Sequence, residues 1–273
     1  MNQPRPIRKW TCHKLECFAD YIEAYSKAMG KNECYYLELF AGCGSCRCIG
    51  TDCIIQDSAL RALKVKFARY IFVVSDSHDA ESLKMQTEPY VNASIITGNP
   101  VNDRVLRQVF DLIPRSASSL ALIAPDGYRK LRWSTIRKLA THGEDWRGHK
   151  IELLIVFPLE MALLRNLTRP DCAASITRLY GNRKWEEIKG QRLERKIGSA
   201  KTRKQLVELY KEGLKALGYR HVTDFKPRYL SKTPLYYIIS ASDSENRAKM
   251  LEEAWAKERY LPCELLYPRK EKP

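Results

Sequence analysis

From Tyr36 to Leu167 short apolar runs alternate with helical patterns, and this rhythm constrains the fold more than any single motif in the chain. Tyr36–Phe40, Tyr70–Val74, Ala93–Thr97, Leu120–Ala124 and Glu152–Phe157 read as buried strands. Between and after them Ser58–Ala68, Ala80–Gln86, Val101–Ile113, Trp133–Thr141 and Leu159–Leu167 carry the three- and four-residue spacing of helices. A strand followed by a helix must cross over before it can pair again, so repeated βα units make a mostly parallel sheet with helices on both faces. Two later β-rich runs, Tyr219–Phe225 and Leu235–Ser240, joined by a loop with Pro227 and Pro234, suit an antiparallel hairpin at the sheet edge. Trp10–Met29 reads as an amphipathic covering helix, and Ser244 is placed to cap a last helix reaching Lys257. The expectation is a single α/β domain over residues 1–273. Its sheet is doubly wound, with Tyr36–Phe40 central between Tyr70–Val74 and Leu120–Ala124.

The first strand carries Glu38 and opens into Gly42-Cys43-Gly44. A strand feeding a glycine turn is where an open α/β sheet lets its backbone approach a nucleotide-like ligand, although a tight turn needing positive φ also recruits glycine. Arg47 stands where a dinucleotide fingerprint has its third glycine, so a pyrophosphate is a poor match and a smaller adenosyl ligand a better one.

A net charge of +15 exceeds what solubility needs and points to a polyanionic partner, DNA or RNA first, with a generally basic solvated surface as the alternative. The charge concentrates in a basic insertion or lid over residues 170–204, where Arg183, Lys184, Lys189, Arg192, Arg195 and Lys196 surround Trp185. Cations neutralise phosphates and an exposed indole stacks on an unpaired base; a charged helical flap with Trp185 docked on the core would look the same in sequence. Nine cysteines, an odd number in a chain this long, read as thiols rather than a disulfide framework. Cys43, Cys46, Cys48 and Cys53 share one loop, but their spacing is no recognised ligand rhythm and no metal is expected; ordinary thiols or a Cys43/Cys46 redox pair remain. The five histidines show no mutual metal spacing and no attached nucleophile pattern. No apolar run is long enough to span a membrane and the start has no secretory pattern, so a cytoplasmic protein is expected.

Several blocks in order resemble the three-Cys-motif partner proteins: WTCHKLECFADYI (10–22), LELFAGCGS (37–45), DSALRAL (57–63), LALIAPDG (120–127), LLIVFPLEMALLRNL (153–167), ALGYRHV (216–222) and PLYYIISAS (234–242). The resemblance implies a class I methyltransferase-like Rossmann sheet of bacterial or phage origin, and a radical-SAM-type three-Cys-motif protein as partner. It also implies S-adenosylmethionine as the possible cofactor, held by Glu38, Gly42, Gly44, Asp76 and Asn99, with Asp126 and Tyr128 near the acceptor. Three positions depart from the pattern. Val74 stands where an acid would meet the ribose, leaving only Asp76 two residues on; Gly98-Asn99 stands where an Asp would meet the adenine; and Ala124 opens the Ala124-Pro125-Asp126-Gly127-Tyr128 segment in place of an acid. Two functions follow from this: a nucleic-acid-associated accessory protein that lacks methyl transfer of its own, favoured by the lost carboxylates, or an active base methyltransferase.

Overall fold

The computed structural model describes residues 4–30, 33–49, 51–143, 150–226 and 236–256. The chain opens with β1 (Arg5–Ile7), α1 (Lys9–Met29), β2 (Cys34–Leu39), β3 (Ser45–Cys48), β4 (Ile54–Gln56) and α2 (Ser58–Ala62). The βα rhythm continues through β5 (Arg69–Val74), α3 (Ser77–Thr87), β6 (Ala93–Thr97), α4 (Asp103–Asp111), β7 (Ser118–Ile123), α5 (Trp133–Thr141) and β8 (Glu152–Phe157). After a π-helical segment at Leu159–Leu164 come α6 (Ala173–Tyr180), α7 (Trp185–Leu193) and α8 (Ser199–Ala216). The chain then closes with β9 (His221–Phe225), β10 (Tyr237–Ser242) and α9 (Glu245–Ala256).

The main sheet has seven strands in the order β6-β5-β2-β7-β8-β10-β9. β2, β5 and β6 pair in parallel, while β10 runs antiparallel to both β8 and β9. β2 is therefore central between β5 and β7, and the last strand is inserted beside β8. This is the sheet of a class I methyltransferase-like fold, with the expected antiparallel C-terminal hairpin. Ser244 accepts the Arg247 amide at 3.4 Å, as the capping pattern required. Pro227, Pro234 and Leu235 of the hairpin connection, and Lys257 of the last helix, lie outside the described residues.

One segment differs from its sequence reading. The cysteine-bearing loop after the glycine turn is a β3-β4 hairpin that joins β1 in a separate sheet of order β1-β3-β4, with β1 parallel to β3. Alternation along β3 turns Cys46 and Cys48 inward, where they pack with Ile7, Cys12, Leu15 and Ile55. Strands of three or four residues give too little alternation to be read from the sequence.

Two compact units make up the chain, one running to residue 121 and resuming at residue 249, the other covering 122–248. In the first, Tyr25, Tyr36, Phe67, Tyr70 and Phe72 form a chain of ring contacts with centroids 5.4–6.4 Å apart. In the second, Trp133, Phe157, Tyr180 and Tyr210 form another, with centroids 4.7–6.3 Å apart. Tyr219 fixes the start of β8 by donating its hydroxyl to the Ile151 carbonyl at 2.6 Å. Among the described residues no helix is long and apolar enough to cross a membrane.

Candidate ligand turn and basic insertion

Glu38 lies on β2 two residues after Tyr36, so pleating puts both side chains on one face. The carboxyl is 1 % exposed and is held on both oxygens: Tyr36 donates to Oε2 at 3.0 Å and Ser58 to Oε1 at 2.5 Å. Burial, reinforced by the neighbouring Asp57, pushes its pKa up to about 8 despite those hydrogen bonds. Burial therefore disfavours the charged form of Glu38, while the Tyr36 and Ser58 hydroxyls oppose that shift.

Beyond β2, Phe40 takes a left-handed conformation at φ 70°, which is costly for a residue with a Cβ, and the glycine turn follows. Gly44, at φ 92°, donates its amide to Asp57 Oδ2 at 2.8 Å. The other oxygen of Asp57 caps α2 through the amides of Ala59 and Leu60. The Cys43 carbonyl between the two glycines is taken by Gln86 Nε2 at 2.7 Å and Ser82 Oγ at 3.1 Å, and Gln86 Oε1 accepts from Ser45 Oγ at 2.7 Å. A Cβ on Gly44 would lie 2.8 Å from Gln86 Nε2, and one on Gly42 would lie 3.0 Å from Asp57 Oδ2. The small side chains that would open the backbone to a ligand instead admit the chain's own Asp57 and Gln86.

Asp76 and Asn99 are likewise engaged locally. Asp76 is exposed and caps α3, accepting from His78 and Asp79 at 2.9 Å. Asn99 Oδ1 accepts the Val101 amide at 3.2 Å in the turn before α4, and Val74 is buried. At this turn the Gly44 amide is bound by Asp57 and the Cys43 carbonyl by Gln86 and Ser82, burial raises the Glu38 carboxyl pKa, and Val74 offers no side-chain hydrogen-bond acceptor at the end of β5.

In the second unit Asp126 is exposed and pairs with Lys130 at 3.2 Å. Tyr128 instead points inward at 2 % exposure, with Arg129 Nε 3.4 Å from its hydroxyl and Arg129 also donating to Cys172 Sγ at 3.2 Å. Burial first, then the Cys172 contact, raises the phenol pKa, so Tyr128 is a poor proton acceptor. Asp126 and Tyr128 are therefore one solvated ion pair and one buried phenol.

The basic insertion folds as α6, α7 and the start of α8. Trp185 corrects its sequence reading as a stacking platform: it is completely buried, with Nε1 donating to Thr177 Oγ1 at 3.1 Å and the Lys189 ammonium 5.8 Å above its ring. An aromatic facing inward at the start of α7 supplies the apolar anchor that these short helices need. Arg183 forms a two-pronged pair with Glu186, Lys196 pairs with Glu194, and Arg192 donates to the hydroxyls of Ser199 and Thr202. Lys184, Arg195, Lys201 and Lys204 are exposed and carry no acidic partner among the described residues. Lys201 and Lys204 extend the basic patch onto α8.

Sequence reasoning missed Asp57, Ser58, Tyr36 and Gln86. Asp57 had a local signal, an Asp immediately before an apolar helical run, which is an N-cap pattern. Gln86 had none, because it meets Cys43 across 43 residues of chain.

No family model matches the chain, and no curated protein matches it. Among solved structures, a Legionella pneumophila protein of the DUF519 family is 9 % identical over 89 % of this chain and 90 % of its own, with a TM-score of 0.49. The METTL16 MTase domain is 8 % identical over 85 % and 67 %, at 0.45. M. jannaschii TYW2, solved in complex with AdoMet, is 9 % identical over 82 % and 74 %, at 0.39. Likeness at this level adds nothing to the strand order itself.

Proposed function

We propose that this chain is a nucleic-acid-binding accessory protein on a methyltransferase-like scaffold, with no methyl transfer of its own. The observation that carries the reading is the exposed cation set on the insertion, Lys184, Arg195, Lys201 and Lys204, with no acidic partner among the described residues, in a chain of net charge +15. Its counterpart is the glycine turn, whose polar groups are spent on Asp57, Gln86 and Ser82 rather than left for a cofactor. Phosphates are the partner chemistry such a patch recognises, through charge rather than base edges. The sequence resemblance supports a radical-SAM-type three-Cys-motif protein as the enzyme served, in a cytoplasmic setting.

The test has two arms. Fluorescence anisotropy with labelled single- and double-stranded DNA and RNA should show binding that weakens steeply with salt. Replacing Lys184, Arg195, Lys201 and Lys204 together by Glu should flatten the log–log salt slope by roughly 3. An unchanged slope would remove the insertion from the interface. Calorimetric titration with S-adenosylmethionine should give no heat of binding, and a clear one-site isotherm would make the chain a cofactor-binding methyltransferase instead.

A further inference from the structure

Cys12 and Cys48 approach within 2.9 Å, sulfur to sulfur, although 36 residues of chain separate them. Cys12 lies in the first turn of α1 and Cys48 ends β3; both are completely buried. They share one apolar cluster with Ile7, Leu15, Cys46 and Ile55, and the half-buried Cys53 packs at its rim. The four cysteines noticed in the sequence therefore split. Cys43 stays at the glycine turn, where its thiol donates to the Ser45 carbonyl, while Cys48 meets a fifth cysteine from the N-terminal helix. Among the described residues no three thiols, imidazoles or carboxylates converge on a metal position.

We propose that Cys12 and Cys48 are an oxidisable pair that closes into a disulfide and clasps α1 to the strand leaving the glycine turn. With hydrogen peroxide as the oxidant, one thiolate attacks a peroxide oxygen, the O–O bond breaks, and a sulfenic acid and one water result. The second sulfur then attacks the sulfenic sulfur; the S–S bond forms, the S–O bond breaks, and the proton from the second thiol leaves with the hydroxyl as a second water. The two thiols give up two electrons and two protons, and peroxide takes them up. A dithiol reductant reverses the step by exchange. Intracellular disulfides are typically of this transient kind. Cys46 packs in the same cluster, but the 2.9 Å sulfur–sulfur approach is made by Cys12 and Cys48. Since β3 begins at Ser45, directly after Gly44, the clasp ties the exit of the glycine turn to α1.

The experiment uses the full chain, reduced, then exposed to hydrogen peroxide, quenched with N-ethylmaleimide and analysed by intact mass and peptide mapping. Expected are the loss of two hydrogens, a Cys12–Cys48 linked peptide, and a rise in melting temperature of about 5 °C from the shortened unfolded chain, reversed by dithiothreitol. Cys12→Ala and Cys48→Ala should each abolish the link and the thermal shift, while Cys46→Ala keeps both. A link to Cys43, Cys46 or Cys53, or oxidation confined to Cys53 with Cys12 and Cys48 fully alkylated, overturns the proposal. The wild-type peptide map decides this even if an alanine variant fails to fold.

Discussion

Asp57 accepts the Gly44 amide on one carboxylate oxygen at 2.8 Å and caps α2 with the other, so a single side chain holds both the glycine turn and the first turn of the helix. Removing it should cost more than a surface cap. The lost cap is worth about 1 kcal/mol, and the stranded Gly44 amide adds about 1–3 kcal/mol. We expect Asp57→Ala to lower the unfolding free energy in urea by about 2–4 kcal/mol, with Asp57→Asn in between because its carbonyl still accepts. A loss under about 1 kcal/mol for the alanine variant would show that the turn is held by other contacts.

Buried acids set a pH dependence with a definite sign, and Asp57, raised by burial above its ordinary 3.8, adds to it in the same direction as the two that follow. Burial raises Glu38 from an ordinary value of 4.5 to about 8, and raises Glu152 from 4.5 to about 7 although Arg247 pairs with it. Folding therefore takes up protons between these limits. The contribution is complete below about pH 4.5 and is lost as pH rises, by 7 for Glu152 and by 8 for Glu38, at up to about 1.4 kcal/mol per pH unit for each group. Stability measured by urea unfolding should fall from pH 5 to pH 8. Glu38→Gln, which imitates the neutral acid, should leave the protein folded with a shallower slope; an unaltered slope would mean that Glu38 ionises normally.

The parallel sheet was legible because five βα units repeat one pattern, and each buried strand carries enough apolar residues to declare itself. The Glu38 position was legible for the same local reason. What the sequence could not show was the company that these groups keep. Gln86 reaches the glycine turn from another helix, Cys12 reaches Cys48 across 36 residues, and nothing near either in the chain signals the contact. Trp185 failed differently: a tryptophan among cations has the composition of a nucleic-acid surface, and only its hydrogen bond to Thr177 and its burial reveal an anchor.

Gly213 sits inside α8, where alanine would ordinarily stabilise by about 1 kcal/mol. Here the added Cβ would come 2.6 Å from Trp133 Cη2, and that rigid ring is itself held edge-on against Tyr210 at 5.3 Å. Gly213→Ala should therefore destabilise, by about 1–3 kcal/mol. Trp133→Phe removes the ring atoms in the way, so the same glycine change should cost less in that background. Equal costs in both backgrounds, measured as a double-mutant cycle, would show no coupling between the two positions.

The same cycle logic separates structure from binding in the basic insertion. Trp185→Ala removes a fully buried ring and its bond to Thr177, and should cost about 3–5 kcal/mol of stability. Trp185→Phe keeps most of the packing and should lose mainly the hydrogen bond, about 1 kcal/mol. Because the indole faces inward, the phenylalanine variant should bind single-stranded nucleic acid with the affinity and salt slope of the parent. The reversal of Lys184, Arg195, Lys201 and Lys204 should do the opposite, leaving the melting temperature nearly unchanged while binding collapses at moderate salt, since these side chains are exposed and have no acidic partner among the described residues. If the phenylalanine variant instead lost affinity for single strands by about 1–3 kcal/mol at unchanged stability, the indole must leave its pocket to stack on a base, and the insertion would be a moving clamp rather than a fixed cationic surface.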